Sequence, residues 1–296
     1  MRTFVLAAAV VFLLTGASGP VVNVMYAGSL VTPMERSVGP AFAQSCACEY
    51  RGEAKGSVAI ARLIEAGVKT PDVFISADTH VLDGLMTGKT PFISWYATMG
   101  TAHMVLGYSP KSKFASRFAL AAAHKLSIAG LLQTPGLRIG FTDPKLDPKG
   151  YRSLIVLRLL ATHFKNPALV ATPANIYPEE SLLVRLESGD LDASLLYSTE
   201  SVSRHIPAIA LPEDTDLGHA ALANVYRHAS VHVGDTTYVG APIVYAVTTL
   251  NASRNPSGAA QFVRFVTRRE GRRLLIESGL TPVIPQVTGD RKASPI

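Results

Sequence analysis

The chain has 296 residues, 48% of them hydrophobic and 17% charged, and 28 Lys and Arg against 22 Asp and Glu give a formal net charge of +6. Such an apolar composition excludes a disordered chain and suits one large or two medium packed domains. The basic excess does not describe a nucleic-acid binder, because the cations are scattered apart from Arg268-Arg269 and Arg272-Arg273 and no aromatics are interleaved with them, which leaves a general attraction for anions.

In chain order, Met1-Arg2-Thr3, an apolar run from Phe4 to Leu14 and the small residues Thr15 to Gly19 read as a secretory signal peptide over 1–19. The apolar run is short for a bilayer span, and no Cys stands at the cleavage zone to take a lipid, so a free, exported, periplasmic protein is expected. Val21 to Met25 reads as a strand ending in Tyr26-Ala27-Gly28-Ser29, and Leu30 to Gln44 as a helix delayed by Pro33 and Pro40. Cys46 and Cys48 are either a local disulfide or two spare thiols, with no role in function. A strand near Cys48 to Arg51 leads through Gly56-Ser57 into a helix over Val58 to Ala66, and a third strand, Val73 to Ser76, exits through Ser76-Ala77-Asp78. Further strands are read at His103 to Tyr108, Leu137 to Thr142, Ala193 to Tyr197 and Ile243 to Thr249. Helices are read at Tyr151 to Phe164, Ser181 to Glu187 and Ala259 to Glu277, before a polar tail over 286–296. Strands alternating with helices predict an α/β protein whose sheets are mostly parallel and covered on both faces.

Ser or Gly recurs where a strand hands over to a helix: at Gly28-Ser29, at Gly56-Ser57 and at Pro148-Lys149-Gly150-Tyr151. The first N–H groups of a helix have no partner within it, and the helix dipole favours negative charge there, so such ends can hold an anion. Each is also an ordinary capping position. A hydrolase using Ser29 or Ser57 as nucleophile is the competing reading, but no Gly-x-Ser-x-Gly elbow is present, and His103 and His232, set in apolar strand patterns, read as packed or surface imidazoles.

Taken together, Ala27-Gly28-Ser29-Leu30, Gly56-Ser57-Val58-Ala59, Asp72-Val73-Phe74-Ile75-Ser76-Ala77-Asp78 and Asp147-Pro148-Lys149-Gly150-Tyr151-Arg152-Ser153 resemble the successive motifs of periplasmic molybdate/tungstate-binding proteins, above all the archaeal-type tungstate-binding branch. Leu186 to Asp192, Pro242-Ile243-Val244-Tyr245 and Asn255-Pro256 extend the resemblance, in order, over about Val24 to Pro285. It implies a two-lobed type II periplasmic binding protein, each lobe a sheet flanked by helices, with two crossing hinge strands. Lobe 1 would be 20–100 plus 243–285, lobe 2 would be 101–242, and 286–296 would be a loose tail. The resemblance implies no catalysis and no cofactor. The ligand would be molybdate or tungstate and the partner the permease of an ABC importer; nucleic acid is not expected, and the protein is expected to be a monomer. By motif position Ser29 and Ser57 would bind the anion from lobe 1, and the backbone around Gly150 and Tyr151 and the phenol of Tyr197 from lobe 2. Asp147 would touch the metal atom of the oxyanion or cap the helix; the Glu that accompanies it in the archaeal-type relatives is replaced by Leu196. Sulfate, phosphate or a small carboxylate is the alternative ligand, the last favoured if Arg152 enters the cleft.

Overall fold

A computed structural model describes residues 19–170 and 174–296, so the expected leader lies outside the described residues except for Gly19. The first sheet has the strand order β13-β4-β12-β3-β1-β2, with β14 also on β4. Its strands are β1 (Val21–Ala27), β2 (Glu49–Lys55), β3 (Val73–Ser76), β4 (Trp95–Ala102), β12 (Ile243–Thr249), β13 (Thr281–Pro282) and β14 (Val287–Gly289). The second sheet runs β7-β6-β8-β5-β9, from β5 (Met104–Tyr108), β6 (Ile139–Phe141), β7 (Asn175–Ile176), β8 (Ala193–Tyr197) and β9 (Ala208–Ala210). A hairpin, β10 (Ser230–Val233) and β11 (Thr236–Val239), stands apart from both.

The two-lobed α/β plan is the one expected, and the lobes are joined by short crossings. One residue, His103, separates β4 in the first sheet from β5 in the second, and its carbonyl accepts from Ser198 N–H at 2.8 Å. The chain returns after the hairpin and enters β12 at Ile243, whose N–H donates to Leu217 O at 2.8 Å. The sheets themselves correct an expectation: they are mixed, not mostly parallel. β1 pairs in parallel with β2 and β3, but β12 is antiparallel to β3 and β4, and β5 is antiparallel to β8 and β9. The return of the chain to the first lobe reverses strand direction there, which the local alternation of strands and helices could not convey. The expected loose tail is likewise corrected: Val287–Gly289 pairs with Trp95 to Ala97, and Asp290 N–H bonds Ser94 O.

The helices that matter to the site are α1 (Gly39–Cys46), α2 (Ser57–Glu65), α3 (Thr79–Met86), α4 (Pro148–His163), α5 (Glu179–Ser188) and α6 (Ser198–Arg204); α7 (Pro256–Thr267) and α8 (Arg269–Glu277) close the first lobe. Helix α4 is the central strut, with Pro148 at its first turn, where a missing N–H costs nothing, and Tyr151, Ile155, Val156, Leu159 and Leu160 buried. One core cluster runs through both lobes, from Val22, Val24 and Tyr26 through Ile155 and Tyr197 to Tyr245 and Phe262. A second covers the other face of the first sheet around Phe74, Leu82 and Leu85. The thiols are bonded, Cys46 to Cys48 with a Cα–Cα distance of 5.1 Å, around Ala47 in the left-handed region.

Candidate ligand site between the lobes

Ser29 lies in a single 3-10 turn, Gly28–Leu30, that follows β1, and it is buried. Its hydroxyl shares a 2.7 Å hydrogen bond with the phenol of Tyr245 on β12, which also lies 3.4 Å from Thr199 Oγ1 at the start of α6, across the seam. Gly28 lies against the Glu179 carboxylate from the other lobe, so a methyl there would force that side chain to swing aside. Ser57 opens α2 and is fully buried; its Oγ accepts from Ala77 N–H at 3.1 Å, which leaves the hydroxyl proton free to donate. Here too the lobes touch: a methyl on Gly56 would strike Leu146 O, and Ala59 N–H donates to that same oxygen at 3.1 Å.

From the second lobe, Asp147 caps α4, its Oδ1 accepting from Lys149 N–H at 2.9 Å. Its other oxygen, Oδ2, is buried and has no hydrogen-bond partner among the described residues, and the same holds for the nearby Thr142 hydroxyl. Burial pushes the Asp147 carboxyl above the usual range, with Lys149 pulling the other way. The Lys149 ammonium is itself wholly buried, 2.8 Å from Glu179 Oε1 and 2.5 Å from Glu200 Oε1, and Glu200 Oε2 accepts from Tyr197 N–H at 2.9 Å. Burial alone would lower the Lys149 pKa, and Glu179 and Glu200 more than reverse it, so the ammonium stays charged. Glu179 is pushed well up, first by burial and then against the pull of Lys149. Three carboxylates and one ammonium thus meet where the lobes meet.

Of the residues singled out from the sequence, Ser29, Ser57, Asp147 and Tyr197 are brought to this seam, and those of the Lys149-Gly150-Tyr151 turn are used differently. Lys149 and Gly150 do not offer free backbone donors, because their N–H groups go to Asp147 Oδ1 and Asp147 O. Tyr151 turns its phenol to the carboxylate of Asp78. Tyr197 is buried, accepts from Arg152 Nη1 at 3.0 Å, and packs edge-on to Tyr245 with ring centroids 6.1 Å apart. Arg152 does not enter as a ligand anchor; it reaches Ala77 O at 2.6 Å and Asp78 Oδ2 at 2.9 Å. Leu196 is buried in an apolar cluster of the second sheet, and the carboxylate on this side of the seam comes from Glu200, one turn onward.

A cleft of about 490 Å³ leads between the lobes to this seam, lined by Lys55, Gly56 and Ala59 on one side and Thr142, Asp147 and Glu179 on the other. Ser29, Ser57 and Tyr197 lie off its wall and are buried. Sequence reasoning missed the Lys149 side chain, Glu179 and Glu200. Among the described residues no group of three or more His, Cys, Asp or Glu is placed to hold a metal ion.

Residues 22–281 match the family model for bacterial extracellular solute-binding proteins. The chain belongs to that family. The binding protein is 32% identical over 237 residues to a Haloferax volcanii chain named as a candidate ABC-transporter molybdenum-binding protein, covering 79% of this chain and 73% of the other. It is 27% identical to the molybdate/tungstate-binding protein WtpA of Pyrococcus abyssi, over 92% of this chain and 88% of that one. The periplasmic molybdate-binding protein of Azotobacter vinelandii shares the fold, with a TM-score of 0.64 at 17% identity over 88% of this chain and 99% of that one. Solute binding is not an enzymatic activity, so membership assigns the chain to a class of carriers.

Proposed function

We propose that the protein captures molybdate or tungstate outside the cytoplasm and hands it to the permease of an ABC importer, acting without catalysis and as a monomer. The observation that carries this reading is the pairing of the lobes at two serine turns, Gly28-Ser29 against Glu179 and Gly56-Ser57 against Leu146-Asp147. The Ser57 hydroxyl has its acceptor side filled by Ala77 N–H, and the Tyr197 phenol has its own filled by Arg152, so both have a proton left to donate. Hydrogen bonds to an ion are about twice as strong as neutral ones, so a small number of such donors suits a dianion. The named relatives support the choice of ligand.

The charge at the seam fits as follows. Lys149 is the fixed cation, and the Glu179 carboxylate holds the place beside the Gly28–Leu30 turn that an anion would take. The incoming oxyanion displaces Glu179 from Lys149 and from Gly28, and the unpartnered Asp147 Oδ2 turns towards the metal atom of the oxyanion. Ser29, Ser57 and Tyr197 donate to its oxygens, and contacts from both lobes favour the closed form that a transporter recognises. A small carboxylate is a second reading, favoured by the buried ammonium of Lys149.

A thermal-shift series tests both. Molybdate and tungstate at 100 times their Kd should stabilise the fold by about 2.7 kcal/mol by mass action, with sulfate and phosphate giving little. A rise with small carboxylates and none with the metal oxyanions would replace the first reading by the second.

A further inference from the structure

One lobe-1 residue, Ala77, is held from both sides. Its N–H bonds the Ser57 hydroxyl at 3.1 Å, and its carbonyl accepts from Arg152 of the opposite lobe at 2.6 Å. The same guanidinium lies 2.9 Å from Asp78 Oδ2 and donates to the Tyr197 phenol at 3.0 Å. Asp78 also receives the phenol of Tyr151 and caps α3 through His80 N–H. Over this cluster lies the β10–β11 hairpin, with Tyr238 stacked on Tyr151 at 3.9 Å and the His80 ring edge-on to it at 6.3 Å. Arg152 is 3% exposed.

The geometry points to Arg152 as a positioning residue that ties the shape of the anion site to closure of the lobes. In the closed form its five N–H donors are spread over groups of both lobes: a carbonyl and a carboxylate of lobe 1 and a phenol of lobe 2. Opening the lobes breaks the lobe-1 contacts together. The Ser57–Ala77 bond lies within lobe 1 and the Arg152–Tyr197 bond within lobe 2, so opening leaves both intact and removes the guanidinium link that fixes Ser57 and Tyr197 relative to each other, although Arg152 touches neither the proposed anion nor Lys149. A planar fork suits this role, because a lysine reaches one acceptor and leaves the others without a donor. The effect on affinity rests on the oxyanion reading of the preceding section; the effect on closure does not.

Spin labels on Glu65→Cys in α2 and Val184→Cys in α5, both exposed, report the separation of the lobes. In the protein without added anion, Arg152→Gln and Asp78→Asn should each shift the distance distribution towards longer separations. Each should weaken tungstate binding at least tenfold by calorimetry, and the double variant should be no weaker than the worse single one. Arg152→Lys should restore only part of the short-distance population. Should Arg152→Gln fail to fold, Tyr238→Ala on the hairpin carries the test, with a smaller shift in the same direction and about threefold weaker binding. Folded variants with unchanged distances, or two single losses that multiply in the double variant, would overturn the inference. If the distances shift but tungstate binds none of the proteins, the clasp stands and the oxyanion reading falls alone.

Discussion

Two aspartates, each buried and each at the start of an element, are treated in opposite ways. Asp72, 1% exposed beside β3, accepts four hydrogen bonds: from Asn23 N–H at 2.9 Å, the Asn23 amide at 3.1 Å, Ser253 at 2.7 Å and Asn255 N–H at 2.9 Å. Burial would raise its pKa, and those donors together push it below the ordinary carboxylate value. Asp147, 7% exposed at the seam, accepts one, keeps an unpartnered oxygen, and is pushed up. Buried polar groups are normally satisfied, so the first pattern is what stability produces and the second is what a ligand site leaves open. Asp72 ties β1, β3 and the loop before α7 into one unit, and that is sufficient reason for it to be there.

The contrast predicts separable losses. Asp72→Ala, which strands four donors, should lower unfolding free energy by about 3 kcal/mol in urea denaturation while the folded fraction binds anion with unchanged affinity. Ser57→Ala should weaken anion binding by about 2 kcal/mol, the worth of one hydrogen bond to a charged group, and Ser29→Ala by a similar amount, with calorimetry as the measurement. Equal affinity in both variants would remove the serine turns from the site. Asp147→Asn keeps a good helix cap and removes the charge, so stability should move by less than about 1 kcal/mol. Its tungstate affinity should fall about tenfold, or 1.4 kcal/mol, and a gain in affinity would show that the carboxylate repels the anion instead of meeting it.

Much of this contrast lay hidden in the sequence. Val73–Ser76, Ala193–Tyr197 and Ile243–Thr249 were legible to the residue, because buried apolar runs bounded by polar turns leave little choice of ends. The serine turns were legible for the same reason, each following a strand and carrying a glycine before the hydroxyl. Trp95–Ala102 was not read as a strand, since small residues and Gly100 dilute its pattern. The helix expected over Ala259 to Glu277 breaks at Arg268, which is extended, and Arg269, with φ of 40°; no Gly or Pro marks that place. The charged cluster was beyond local pattern altogether: Lys149 meets partners 30 and 51 residues away, and Glu200 looks in sequence like any acid in the first turn of a short helix. In sequence Asp72 stands only as the first residue of the Asp72 to Asp78 motif and Asp147 as a helix cap or metal contact, and the count of donors is what separates them.

The same count sets the response to pH, which is the smallest effect expected. A carboxyl whose pKa is raised on folding holds a proton that the unfolded chain has already released, so stability falls as pH rises from the unfolded value of about 4.3 towards the folded one. Glu179 is such a group, and Asp72, with its lowered pKa, has the opposite sign: its contribution is complete above the unfolded value of about 3.9 and is lost only in more acid solution. Between pH 5 and pH 7 Asp72 is therefore silent and Glu179 is not. Glu179→Gln should flatten the decline of melting temperature over that interval, whereas Asp72→Asn should lower the melting temperature equally at both ends. An unchanged decline in Glu179→Gln relative to the parent would mean that the carboxylate is ionised throughout, held by Lys149, and that the seam carries its full negative charge before any anion arrives.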